Sequence, residues 1–144
     1  MSFLSNILST AKKTINSYAG DAAFLKGVAS AAANVTAADG SIDDSEIEAA
    51  IAGMQANPIV SASYNSSQIE EALNGALSRA KSRAGRMENK RFIEALMTRD
   101  VSVRQDVFLI AADTADQGGI GAEEQVVLND IAKLLNVDGA KLLA

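Results

Sequence analysis

The chain contains no cysteine and no histidine. Without cysteine there are no disulfides, no thiolate metal sites and no sulfur nucleophile. Without histidine the commonest metal ligand and the commonest general base are both missing. Nearly every familiar zinc site goes with them. Tryptophan is absent too, proline occurs once, and aromatics make up 4% of the residues. A core must therefore be built from Ala, Ile, Leu, Val and Met, and such side chains suit closely packed helices. No run of about 20 apolar residues fits a membrane-spanning helix. Met1 to Gly20 shows no secretory pattern, so a cytoplasmic chain is the expectation.

What is present is hydrophobic mass and oxygen chemistry. The 144 residues, 48% of them hydrophobic, suit one domain over 1–144 with a proper core. The net charge of −5 is unevenly spread. Residues 39–72 hold seven acids and no base, whereas residues 73–110 hold eight bases and four acids. Two acidic blocks thus flank a basic middle, a pattern suited to charged partners.

Helical periodicity dominates the chain. Phe3, Leu4, Ile7, Leu8, Ala11 and Ile15 form a first apolar stripe, ended by Gly20. Such a stripe either lies on a membrane or packs on the domain, and packing is its commoner fate. Asp21 caps an alanine-rich second helix reaching about Ala38, and another starts near Asp43 and stops at Asn57-Pro58. Ser67-x-x-Glu70 and Ser102-x-x-Gln105 read as capping boxes. Gly85 reads as an interruption, Phe92, Ile93 and Leu96 as a further helix, and Gly118 to Gly121 as a break. A last full helix carries Val127, Leu128, Ile131, Leu134 and Leu135, and Asp138-Gly139 opens a short C-terminal turn. No segment alternates like a strand. The expectation is an all-α fold, a compact bundle of about seven to eight helices.

Part of this pattern occurs twice. An Ala-rich helix is followed by Asp, Gly, Ile and, four residues after the Ile, Glu: Asp39, Gly40, Ile42 and Glu46, then Asp116, Gly118, Ile120 and Glu124. The repeat predicts two helix–loop–helix units with the basic helices between them. Asp39, Asp43, Asp44 and Glu46 crowd the first turn, and Asp113, Asp116, Glu123 and Glu124 the second. Two readings of these acids stand side by side. Hard cations such as Ca²⁺ and Mg²⁺ require several oxygen ligands. Helix starts equally favour carboxylates, and Asp43-x-x-Glu46 is a capping box flanked by a staple of Ile42 and Ile47. An EF-hand register with Gly40 at position six puts Val35 and Ala37 at positions one and three, so an ordinary EF-hand is excluded. Enzymatic use of paired carboxylates is disfavoured, because helix starts lower carboxyl pKa values and a general acid needs a raised one. A pocket holding a raised glutamate would reopen that question. The bases Arg79, Lys81, Arg83, Arg86, Lys90 and Arg91 suit phosphates or a solvated face paired with the chain's own acids. Without interleaved aromatics, and at a pI near 4.7, the second reading is preferred and no nucleic acid is expected.

The run Ala37 to Glu46, the run Ile110 to Asp116, Glu124, and the run Leu128 to Leu135 resemble the two acidic motifs of the TerB family of tellurite-resistance proteins. The opening Met1-Ser2-Phe3 is similar as well. The resemblance implies a compact helical domain with an acidic and a basic face, non-enzymatic, acting in stress response. It implies metal-linked complexes with other tellurite-resistance proteins near the inner membrane, with Ca²⁺ or another divalent cation as the ligand. Carried over, the family's acidic residues fall on Asp39, Asp43, Asp44, Glu46, Asp116 and Glu124. The chain departs from the family pattern at Gln117-Gly118-Gly119, where Asp-Gly is usual, and at Gly121 and Ala122, which replace acids. Residues 57–100 match only in general character. A helical adaptor that binds proteins through charged faces without metal is the alternative expectation.

Overall fold

Asp21 follows a turn closed by its N–H on the Tyr18 carbonyl and starts the central helix of the fold. In the computed structural model, which describes residues 18–115 and 119–144, its carboxylate accepts the Phe24 N–H at 3.1 Å. Helix α1 (Ala22–Thr36) follows, and its residues from Gly27 to Val35 are all buried. A helix apolar on every side belongs inside a bundle. Accordingly α4 (Ser66–Ala80), α5 (Arg83–Glu94) and α6 (Val101–Ala115) pack around it. Alanines on α1 let these neighbours approach closely, while Phe24 and Phe108 supply the bulk, each fully buried and worth about 1.5–3 kcal/mol of transfer free energy.

The remaining elements close the bundle. Helix α2 (Asp44–Ala56) leads into α3 (Pro58–Ser63), with Pro58 in its first turn and Asn57 capping Ile59. A 3₁₀ turn (Ala95–Thr98) joins α5 to α6, and α7 (Ala122–Leu135) and α8 (Gly139–Leu143) complete the chain. The described residues hold eight α-helices and no strand, as expected. The predicted N-terminal helix lies outside them.

Three local expectations are corrected. The box that starts α4 is Asn65 with Gln68, two residues before Ser67-x-x-Glu70; Asn65 Oδ1 accepts from Gln68 N–H at 2.9 Å and Gln68 Oε1 from Asn65 N–H at 3.0 Å. Ser102 is already the second residue of α6, whose first turn hangs on the Asp100 carbonyl. Gly85 does not interrupt a helix. The break falls at Lys81-Ser82, Ser82 caps α5, and Gly85 sits in its first turn. There an added Cβ would lie 1.7 Å from the Arg79 carbonyl oxygen, so only glycine permits the approach of α5 to the end of α4. The helix expected around Phe92 therefore begins nine residues earlier, at Arg83.

Buried polar groups lock α1, α4 and α5 in register. Asn89 is fully buried and donates to Asn34 Oδ1 at 2.9 Å and to the Ala76 carbonyl at 3.1 Å. It accepts from Arg79 Nε at 2.7 Å. Arg79 thus leaves the solvated face that its sequence context suggested, and its guanidinium lies over the Phe92 ring. Every buried side-chain polar atom among the described residues has a partner, as native packing requires.

Candidate functional site: the cavity between the two acidic turns

Both repeats run from the end of a buried helix through a glycine turn into an acid-rich helix start. In the first, Gly40 adopts φ +88°, and Asp39 Oδ1 accepts the Ser41 N–H at 3.1 Å. Asp43 caps α2, its Oδ1 accepting from Glu46 N–H at 2.8 Å and from Ser45 Oγ at 2.7 Å. These bonds, the Ser45 hydroxyl first, hold the Asp43 carboxyl below its ordinary range. Ile42 and Ile47 are half-buried against the core, as the staple predicts.

In the second repeat the left-handed position is taken by Gly119, at φ +92°. Aligned on their caps, Asp43 and Gly121, the two units set Gly40 against position 118, which lies outside the described residues, and Gly119 follows it. Gly121 occupies the cap position, where a glycine has no side chain to offer. Glu124 turns back instead, and its Oε1 accepts the Gly121 N–H at 3.1 Å.

The two turns meet across one cavity of about 450 Å³, lined by Thr36, Asp39 and Glu46 from the first and by Thr114, Glu123 and Glu124 from the second. Of the six candidate ligands, Asp39, Glu46 and Glu124 line it together. Asp43 and Asp44 are exposed and do not line it. Asp116 lies outside the described residues. Among the described residues, no three acidic side chains stand close enough to hold a metal ion. The cavity is an acidic vestibule, not a finished cage. Sequence reasoning missed the threonines, although they end the corresponding helices of the two repeats. Each hydroxyl donates to the carbonyl four residues back, Thr36 to Ala32 and Thr114 to Ile110, both at 2.8 Å.

Glu46 departs from the helix-start expectation. Burial raises its carboxyl pKa first, and the charges of Asp39 and Asp43 raise it further. Burial, reinforced by like charge, thus opposes the lowering that a helix start would give.

A second concavity of about 970 Å³ lies beyond the same turn, between α5 and α7. Ala37, Ala38 and Gly40 border it, whereas Asp39 faces the acidic cavity. The basic segment divides on its rim. Lys90 pairs with Asp130 at 2.9 Å, the one pairing of this segment with the acidic blocks among the described residues. Arg86 donates to the Ala80 carbonyl, while Lys81 and Arg83 are exposed.

No protein-family model matches the chain, and no curated protein or solved structure shows significant similarity to it.

Proposed function

We propose that the chain is a TerB-like stress-response module whose vestibule between the two acidic turns takes a hard divalent cation, Ca²⁺ or a similar ion, and thereby adjusts how it docks other proteins. One observation carries the reading: two turns far apart in sequence direct their acids into one cavity lined by carboxylate and hydroxyl oxygen. The donor set suits hard cations, which take oxygen ligands and tolerate irregular geometry in the case of Ca²⁺. Asp39, Glu46, Glu123 and Glu124 would supply the carboxylates. A cation would offset the burial and the like-charge repulsion that together raise Glu46.

Because no three acids converge beforehand, affinity is expected in the range of about 10⁻⁵–10⁻³ M. Glu46, raised and lining the cavity, meets the condition that reopens an enzymatic role; the present reading uses it for binding, because the acids around it suit a cation. The chain's partners are other tellurite-resistance or stress proteins, met in the cytoplasm or at the inner membrane. No helix among the described residues is long and apolar enough to cross a membrane, so any membrane role would be peripheral with respect to those residues.

The test is a calorimetric Ca²⁺ and Mg²⁺ titration of chelator-stripped protein, read beside its thermal melt. Saturable heat with a raised Tm is expected, and Asp39→Ala combined with Glu46→Ala should remove both while leaving the helical spectrum intact. Equal binding by the double variant would rule these residues out as principal ligands. Neither heat nor shift in the native chain would leave the acids as helix caps. The metal-independent adaptor would then stand, a reading favoured by the charged groove between α5 and α7.

A further inference from the structure

The groove between α5 and α7 combines two features that rarely coincide on a solvated face. Its walls expose large apolar side chains, Met87 at 51% and Val126 at 67%. Its rim carries five bases, Lys81, Arg83, Arg86, Lys90 and Lys133, against the single acid Asp130. Among the described residues only Lys90 is neutralised, by Asp130. A chain of net charge −5 has thus concentrated unpaired positive charge around an apolar trough and left its own acids elsewhere.

We propose that this groove docks an acidic amphipathic helix of a partner protein. Apolar residues on one face of that helix would pack between Met87 and Val126, and flanking carboxylates would meet Lys81, Arg83 and Lys133. Three observations select this occupant. Two walls of helix with Ala37, Ala38, Met87, Val126 and Val127 between them suit a helix laid into a groove, read as anchors at i, i+3, i+4 and i+7. The excess of bases over acids complements negative charge and speeds encounter. A nucleic acid fits less well, since no aromatic ring lines the groove to stack a base, and the acidic remainder of the molecule repels a long polyanion. The docking surface deepens the reading of the chain as an interaction module. It needs no cation, although the 37–40 turn and α7 border both the groove and the acidic vestibule.

The experiment uses the full chain in chelator and a fluorescein-labelled helical peptide with Leu at i, i+3, i+4 and i+7 and Glu on its flanks. Anisotropy should show saturable binding that weakens with added salt. Met87→Glu, and separately Arg83→Glu combined with Lys133→Glu, should each weaken it by about tenfold or more. All three positions are exposed, so the variants are expected to keep the native spectrum and Tm. Replacing the peptide's Glu with Lys should abolish binding. Several results would overturn the proposal: no binding of the acidic peptide, equal binding by the variants, or capture of duplex DNA or phosphatidylglycerol vesicles in its place. A concentration-dependent dimer that excludes the peptide would assign the groove to a second copy of this chain and sink it equally. Chelator throughout keeps the result separate from cation binding at the vestibule.

Discussion

The two helix–loop–helix units share a turn but divide its work differently. In the first, Asp43 caps α2, and Glu46, in the third helical position, faces the cavity. In the second, the cap position holds glycine, and the glutamate at the same helical position, Glu124, bonds back to Gly121 N–H. The N3 side chain closes on the cap N–H here as Gln68 does behind Asn65, where a side-chain cap is also present. Orphan N–H groups at a helix start must be satisfied by something, and whichever acid does so is partly withdrawn from ligand chemistry. The first unit commits Asp43 to its cap and Asp39 to the Ser41 N–H, and the second commits Glu124 to the Gly121 N–H.

The largest effect should come at the entry to the first unit, which is also where the two units are tied together. Asp21 caps α1 and takes a bidentate hydrogen bond from Arg99, just before α6, at 2.7 and 3.3 Å. Losing the cap and the partly shielded ion pair in Asp21→Ala should cost about 2 kcal/mol at neutral pH, measured by urea unfolding. Hydrogen bonding to Arg99, more than the opposing burial, holds the Asp21 carboxyl below its usual value. A lowered carboxyl pKa contributes stability that is present above the unfolded value of 3.8 and is lost as pH falls through the folded one. Asp106 on α6 has the opposite sign. Burial raises it, although Tyr18 Oη donates to it at 2.7 Å. Its contribution is present below the unfolded pKa and lost as pH rises through the folded value. Asp21→Ala should therefore flatten the acid limb of the stability profile, whereas Asp106→Asn should keep that limb and slightly stabilise the neutral protein. Matching profiles for the two variants would erase the contrast.

Next in size are the caps themselves. Asp43→Ala should lower Tm by a few degrees, and Asp43→Asn should restore most of the loss, because Asn caps as well as Asp. Glu124→Ala should lower Tm less, since it removes one bond to a single exposed N–H. If Glu124→Ala proves the more damaging, the second unit depends on that acid for more than its cap. Scanning calorimetry of the three variants at equal ionic strength decides the matter.

Much of this was legible from local chemistry. Asp21, Asp43 and Asn57-Pro58 each mark a helix boundary by a mechanism confined to three or four residues, and all three sit where the sequence puts them; Asp138, expected to open a turn, caps the short helix α8. Local chemistry failed where two signals overlapped or where the cause was distant. Asn65-x-x-Gln68 and Ser67-x-x-Glu70 both satisfy the capping pattern, and only one can hold the first turn. Gly85 reads as a breaker until the Arg79 carbonyl is seen against it, a contact made by helix packing. The site shows the same division. The duplicated motif announced two acidic turns. That Asp39, Glu46 and Glu124 face one cavity while Asp43 and Asp44 face solvent depends on how α2 and α7 dock, and periodicity does not encode docking.

The smallest expected effect is also the most direct test of the comparison. Gly121 has φ −74° and ψ 170°, close to the φ −96° and ψ 170° of Asp43, so the backbone for a side-chain cap is already in place. A Cβ there would meet Glu124 Oε1 at 3.2 Å, the mobile end of a side chain that can move aside. Gly121→Asn and Gly121→Asp should each gain a few tenths of a kcal/mol by capping α7. They should differ toward cations. The Asp variant repels Glu124, which already lines the cavity, from the cap N–H and adds a carboxylate at position 121 of the same lining, and should bind Ca²⁺ more tightly than the native chain. The Asn variant caps without repulsion and should leave the affinity nearly unchanged. If both variants are stabilised and neither binds Ca²⁺ differently, capping and ligation are independent, and the asymmetry of the two turns concerns helix starts alone.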